Sequence, residues 1–290
     1  MTSFSGRYVS LAGVPRIDGL IFGARFAGID FTYAFPAVTA NYGRDYSPPG
    51  GGRPGELSSF STLNATMKSA VRFALEGTTP GGQGFGVEGF TRADFIRITP
   101  GSGEVAAHYR FAQTLMPKYG EVGYANPGGT APEDRAGDVW LKAGWHKDAR
   151  PGTISHYVAL HETGHALGLK HPRDTYTMPN GDRHGPLPKA WDAMEYTVMS
   201  YNSFVGEGAA ALAGNGRFDY AQTWMMLDIA ALQHAYGANF TTNAGRTTYV
   251  WKPGQGDTWV NGRRAIDSPG DTIFATIWDG GGFDTYDLSA

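Results

Sequence analysis

The segment His161-Glu162-Thr163-Gly164-His165-Ala166-Leu167-Gly168-Leu169-Lys170-His171 holds the residues best spaced to do chemistry in this chain. Two histidines four apart on a helix project from one face, because a turn takes 3.6 residues. His161 and His165 therefore offer two imidazoles to one metal ion. Glu162, rotated about the axis, can reach a water on that metal without ligating it. Gly168 can adopt the left-handed conformation that ends a helix, after which the chain turns and His171 supplies a third nitrogen. Three neutral histidines suit zinc at ~2.0–2.1 Å and leave a position open for water. The pKa of such a water falls from ~15.7 towards ~7, and Glu162 is placed to take its proton and return it to a leaving amine. A bare HExxH arises by chance on amphipathic helices. Here it extends to HExxHxxGxxH on a segment that independently reads as helix.

The elements that must position these residues follow from periodicity and punctuation. Ile29–Phe35 alternates strictly and reads as a strand closed by Pro36. Residues 43–56 are rich in Gly, Pro and Arg and read as a loop. Leu63, Met67, Ala70, Val71, Ala74 and Leu75 are spaced for a helix capped by Ser58 or Ser59 and stopped by Gly77. A second glycine-rich loop spans 77–89. Strands are expected at Asp94–Thr99, Ala106–Ala112, Val122–Ala125 and Asp138–Lys142. The helix bearing the histidines starts at Thr153 or Ser155 and runs to about Gly168. Residues 172–218 read as irregular. A third helix covers Tyr220–Tyr236, with Asp219 as cap and Gly237 as stop. The last fifty residues return to strand and turn signals. The pattern predicts an α+β fold with no internal repeat.

The whole chain sets wider bounds. Its 290 residues suffice for a real core in one large domain or two smaller ones. A net charge of −3 argues against nucleic acid or an anionic membrane as a partner. Cysteine is absent, which removes disulfides, thiolate metal sites and cysteine nucleophiles together. No run reaches the ~20 apolar residues of a membrane span. The start Met1-Thr2-Ser3-Phe4-Ser5-Gly6-Arg7 lacks the apolar stretch of a secretory signal peptide. The remaining histidines, His108, His146, His156, His184 and His234, have no partner at ligand spacing and read as packing or surface residues.

Downstream lies Val198-Met199-Ser200-Tyr201, which on its own reads as a buried methionine beside a core tyrosine. Paired with the histidine motif and its Pro172, it resembles the metzincin clan of zinc peptidases, and within it the serralysin family. Leu227–Asn239 and Thr276-Ile277-Trp278-Asp279-Gly280-Gly281-Gly282-Phe283-Asp284-Thr285-Tyr286-Asp287 carry the likeness further. It spans at least residues 150–290 and extends more weakly back to the strand Phe31–Pro36.

The resemblance implies a metzincin-type catalytic domain over 1–240: a twisted sheet, three main helices, and a zinc cleft between upper and lower subdomains. A β-rich extension over 241–290 would lead towards a truncated calcium-repeat roll. Met199 would form an apolar floor beneath the metal. Tyr201 would be a catalytic residue, a switchable fifth zinc ligand that helps stabilise the oxyanion. Substrate backbone would add to a sheet strand within Gly120–Trp140. One degenerate copy of the family's glycine- and aspartate-rich nonapeptide fits Asp279–Asp287, and the repeat array and C-terminal secretion signal that usually follow are absent. That tail also reads as a plain Gly-Asp turn. The resemblance pairs it with Asn243-Ala244-Gly245-Arg246-Thr247, so that Asn243, Gly245, Thr247, Asp279, Gly281 and Asp284 would hold one structural Ca2+.

The expectation is thus a secreted, extracellular zinc endopeptidase acting on proteins or peptides, of unstated oligomeric state. Alternatives are a processing protease dedicated to one surface protein, and an inactive metal-binding module. Intact Glu162 and Tyr201 speak against the last.

Overall fold

A computed structural model describes residues 5–42, 56–99, 101, 106–115, 122–130, 135–207 and 215–289. Along the chain run β1 (Gly6–Tyr8), α1 (Pro15–Asp18), β2 (Ala24–Phe26), β3 (Asp30–Ala34), β4 (Ser61–Thr62), α2 (Ala65–Glu76), α3 (Val87–Phe90), β5 (Asp94–Arg97), β6 (Tyr109–Thr114), β7 (Gly123–Ala125) and β8 (Asp138–Lys142). The second half holds α4 (Ile154–Ala166), β9 (Tyr176–Thr177), β10 (Arg183–His184), α5 (Met226–Tyr236), β11 (Thr248–Val250), β12 (Thr258–Val260), β13 (Arg263–Ile266) and β14 (Thr285–Asp287). The architecture is α+β, as the periodicity predicts.

The main sheet runs β5-β3-β6-β8-β7, with β4 also pairing to β6. Its inner strands are parallel, and β7 lies antiparallel along β8 at the edge. β6 is buried along its whole length, as expected of a strand covered on both faces. The sheet, α2, α4 and α5 share one apolar core that includes Phe31, Phe111, Leu160, Trp224 and Leu232. A second sheet, β13-β12-β11-β14, lays Tyr249, Val260 and Ile266 against Phe73 and Phe85.

Several expected boundaries move. α2 is capped by Asn64, whose side chain accepts from the Met67 N–H at 2.9 Å, and not by Ser58 or Ser59. Ser59 instead bonds Thr114 Oγ1 and the Leu115 N–H, next to the short strand β4. The glycine-rich stretch 77–89 contains a 3-10 turn at Gln83–Phe85 and the start of α3. α5 begins at Met226, six residues later than expected, because Gln222 and Thr223 pair with the extended chain at Phe274 and Thr276. Asp219 is therefore not its cap: it accepts from Thr272 Oγ1, while Asp228 accepts from the Met225 N–H at the true start. Gly77 and Gly237 end α2 and α5 as expected. Apart from Glu56, the loop expected over 43–56 lies outside the described residues, as do 120–121 and 131–134 of the expected substrate-strand segment.

Candidate metal centre

α4 is capped by Thr153, whose hydroxyl accepts from the His156 N–H, and almost every residue on it is buried. After Leu167 the chain reverses at Gly168, with φ +98°; a Cβ there would stand 2.8 Å from the Ala24 carbonyl oxygen. That reversal returns His171 to the face bearing His161 and His165. The three Nε2 atoms form a triangle with edges of 3.2, 3.2 and 3.0 Å. These edges are close to those of a tetrahedral site with metal–nitrogen bonds of ~2.0–2.1 Å. Among the described residues this is the one cluster of three or more histidine or acidic side chains able to hold a metal ion.

Each ring is turned by an acceptor at its other nitrogen. His161 Nδ1 donates to the Val198 carbonyl at 2.7 Å, His165 Nδ1 to the Leu169 carbonyl at 3.0 Å, and His171 Nδ1 to Asp174 Oδ2 at 3.1 Å. A carbonyl or carboxylate can only accept, so each Nδ1 carries the proton and each Nε2 presents a lone pair. Three lone pairs converge with no ring proton among them, an arrangement that a cation would satisfy. Burial, reinforced by the neighbouring imidazoles, pushes His161 down to about 3 and His165 well below its usual range. The donor set of three neutral imidazoles, His161 buried and His165 and His171 half-buried, fits zinc.

The segment that carries the Val198 acceptor is itself fixed. The Val198 N–H and the Thr197 hydroxyl both donate to the buried Asp228 carboxylate on α5, at 2.8 and 2.6 Å. Tyr157 on α4 donates its hydroxyl to the Ser200 carbonyl. Met199 is fully buried, and a Cβ at Gly164 would lie 2.7 Å from its Sδ, so it packs directly under α4. Tyr201 places its hydroxyl 2.7 Å from His171 Nε2. Although about half of Tyr201 is exposed, at 49%, desolvation of its hydroxyl within the cleft and the nearby Glu162 and Asp174 carboxylates push that phenol up.

Glu162, Tyr201, His165 and His171 line a cleft of about 350 Å³ together with β7. A larger polar groove at Gly81, Thr242 and Arg263 involves none of them. Alternation along β7 decides which of its backbone groups face the cleft. Lys142 N–H donates to the Val122 carbonyl and Asn126 N–H to the Asp138 carbonyl, so Val122, Tyr124 and Asn126 point their peptide groups at β8. Gly123 and Ala125 point theirs outwards from the sheet edge.

The expected calcium residues come together in part. β14 pairs parallel with β11, and the Gly280 N–H donates to the Thr242 carbonyl. Asp284 Oδ1 accepts from the Thr247 N–H, and Asp279 accepts from Tyr249 Oη and the Gly281 N–H. Asn243 and Gly245 belong to the same pair of loops, with Thr247 Oγ1 donating to the Asn243 carbonyl. The other histidines stand apart from the metal cluster: His108 bonds Thr32, His146 the Val122 carbonyl, His156 the Gln222 carbonyl and His234 the Ser10 carbonyl, while His184 is buried in β10.

Asp174, Lys170 and Asp228 were not singled out from sequence. Asp174 alone had a local signal, a carboxylate three residues past the third histidine. Lys170 is almost wholly buried and donates to the carbonyls of Gly19, Asp174 and Gly185 at 2.5–2.9 Å, strapping the loop that carries His171.

Comparison with known proteins gives the same direction. The chain is 33% identical over 162 residues to "Metalloprotease AprA" of Pseudomonas entomophila, covering 54% of this chain and 32% of that protein. It is 28% identical over 264 residues to "Metallopeptidase AprA" of Pseudomonas marginalis, covering 90% of this chain and 50% of that protein. It is 33% identical over 160 residues to "Serralysin" of Proteus mirabilis, covering 54% of this chain and 31% of that protein. The matched stretch thus spans 31% to 50% of each relative's length. No protein-family model matches the chain. The chain is homologous to serralysin- and AprA-type metallopeptidases, and its α+β architecture, main helices and histidine cluster beside a cleft are those of a metzincin-like catalytic domain. Among the described residues no helix is long and apolar enough to cross a membrane.

Proposed function

We propose that this protein is a zinc-dependent endopeptidase of the serralysin type that hydrolyses peptide bonds in extended protein segments. The observation that carries the reading is the triangle of three Nε2 lone pairs in a cleft edged by β7. When bound, the zinc acidifies a water and polarises the scissile carbonyl. His161, His165 and His171 hold it. Glu162 takes the proton from the attacking water and delivers it to the leaving nitrogen. Tyr201, kept neutral, donates its phenolic proton as a hydrogen bond to the oxygen that becomes negative. Gly123 and Ala125 pair with the substrate backbone as an added strand. Met199 supplies the apolar floor. In this reading 1–240 forms the peptidase unit, 241–290 a β-rich extension, and the protein acts outside the cell.

The test combines metal analysis with cleavage of casein by wild type, Glu162→Ala and Tyr201→Phe, with and without chelator. Glu162→Ala should retain zinc and lose activity by ~10²–10⁴-fold. Tyr201→Phe should retain zinc and lower kcat more than it raises KM. Chelator-resistant cleavage, or near-normal turnover by Glu162→Ala, would sink the mechanism.

A calcium ion between the 243–247 loop and the 279–284 turn is part of the same proposal. Backbone carbonyls of Asn243, Gly245, Thr247 and Gly281, with the Asp279 and Asp284 carboxylates, form an oxygen set of the kind calcium takes. The carboxylates would exchange their present donors for the ion.

A further inference from the structure

Phe22 and Tyr176 come from opposite halves of the chain, yet their rings meet with centroids 4.5 Å apart and planes tilted by 54°. Both line the cleft that holds Glu162 and the histidine cluster, beside Pro127 and the buried Leu169. Each is half-buried, so part of each ring is packed and part is left to the cleft.

The backbone fixes this pair in place. Phe22 N–H donates to the Gly168 carbonyl at 2.8 Å, Ile21 bridges Leu169, and Lys170 N–H donates to the Leu20 carbonyl at 2.8 Å. The segment 20–22 is thus strapped antiparallel to the turn between the second and third histidines. Gly23 follows with φ +108°, and a Cβ there would lie 2.7 Å from Met178 Cγ and 2.8 Å from the His184 ring. Only glycine lets the chain leave at that angle. Tyr176 sits in β9, opposite His184 of β10.

Charge decides what the wall can accept. Asp174 spends a carboxylate oxygen on His171 Nδ1, and Lys170 spends its ammonium on three carbonyls. The wall therefore offers the faces of two half-buried rings, with the Tyr176 hydroxyl turned towards Asp174 Oδ2. We propose that Phe22 and Tyr176 form a subsite for an apolar or aromatic side chain of the peptide substrate. This rests on the peptidase reading and names a substrate preference within it. An extended chain paired with β7 turns alternate side chains to one face. Glu162 lies against Gly123, whereas the wall adjoins Gly168, and Gly128 N–H bonds the Ala166 carbonyl, so the subsite lies toward the Pro127 end. It acts on one side of the scissile bond, within a few residues of it.

The experiment is cleavage-site profiling on a peptide library with zinc-loaded wild type, Phe22→Ala and Tyr176→Ala. Wild type should enrich Phe, Tyr, Leu and Ile at one position. Each variant should lower that enrichment by about ten-fold or more while keeping the profile at other positions. Variants with an unchanged profile overturn the subsite, and so does enrichment of Lys or Arg at that position, which would assign the wall to a cation. A zinc-loaded wild type that cleaves nothing sinks the peptidase reading, and the subsite with it. Should Phe22→Ala fail to retain zinc, Phe22→Leu and Tyr176→Ala carry the comparison.

Discussion

Gly123 lies so close to Glu162 that a Cβ on it would stand 2.9 Å from Glu162 Cγ and 3.1 Å from Oε1. The edge strand and the carboxylate of the histidine motif are thus fitted to each other, and the absence of a side chain at 123 sets where that carboxylate rests. Gly123→Ala should displace Glu162 by a few tenths of an ångström, with Leu141 blocking the alternative at 2.9 Å. The expected loss in kcat is about ten- to a hundred-fold, with zinc content unchanged. Steady-state kinetics with metal analysis checks it, and an alanine variant with wild-type kcat would show that Glu162 tolerates the shift.

Asp174 orients His171 through Nδ1, and carboxylate partners of this kind set both the tautomer and the basicity of a ligand. Asp174→Ala should weaken zinc binding by about 10–100-fold, measured by competition with a chromophoric chelator. Its backbone carbonyl, and so the Lys170 contact, remains. An unaltered zinc affinity would reduce Asp174 to a surface role.

Buried His146 is pushed down to about 4, chiefly by burial, and donates through Nε2 to the Val122 carbonyl just before β7. An unfolded histidine titrates near ~6.5. Above that pH neither state binds the proton. As pH falls from ~6.5 to about 4, the unfolded state gains it and the folded state does not, so stability falls by up to about 1.4 kcal/mol per pH unit for such a group. Below about 4 the loss is complete. His146→Gln keeps a donor for Val122 and removes the titration, so its Tm should fall less steeply over that interval in zinc-free protein. Parallel Tm profiles for the two proteins would remove His146 from the acid response.

Calcium should raise the Tm of zinc-loaded protein by mass action, and Asp284→Ala should blunt the response. Calorimetric titration of both proteins measures it. Identical responses, or no binding by wild type, would leave the two loops joined by the β11–β14 pairing and the Asp284–Thr247 bond alone.

The histidine cluster was legible in sequence because its geometry is local: one helical turn, one glycine, one reversal. β8 and the ends of α2, α4 and α5 were legible for the same reason, since Gly77, Gly168 and Gly237 act on their own neighbours. The start of α5 was not, because Gln222 and Thr223 bond a segment some fifty residues later. The cap of α2 was misread because serine and asparagine are similarly good caps, and the strand at Ser61–Thr62 decided between them. Phe22, Lys170 and Asp228 could not be seen at all. Each acts on the metal cleft through contacts that only the folded chain creates.

Lys170 Nζ reaches the Gly19 carbonyl across 151 positions of sequence, and the Ile21–Leu169 bridge spans nearly as many. During synthesis the first segment emerges long before the histidine motif exists, and its contacts with that motif wait until the motif is made. Such long-range contacts close late, because loop entropy must be overcome before they give anything back. A nascent chain therefore carries an unfinished cleft until its two distant parts dock, and under the reading above its hydrolytic capacity appears only after they have done so.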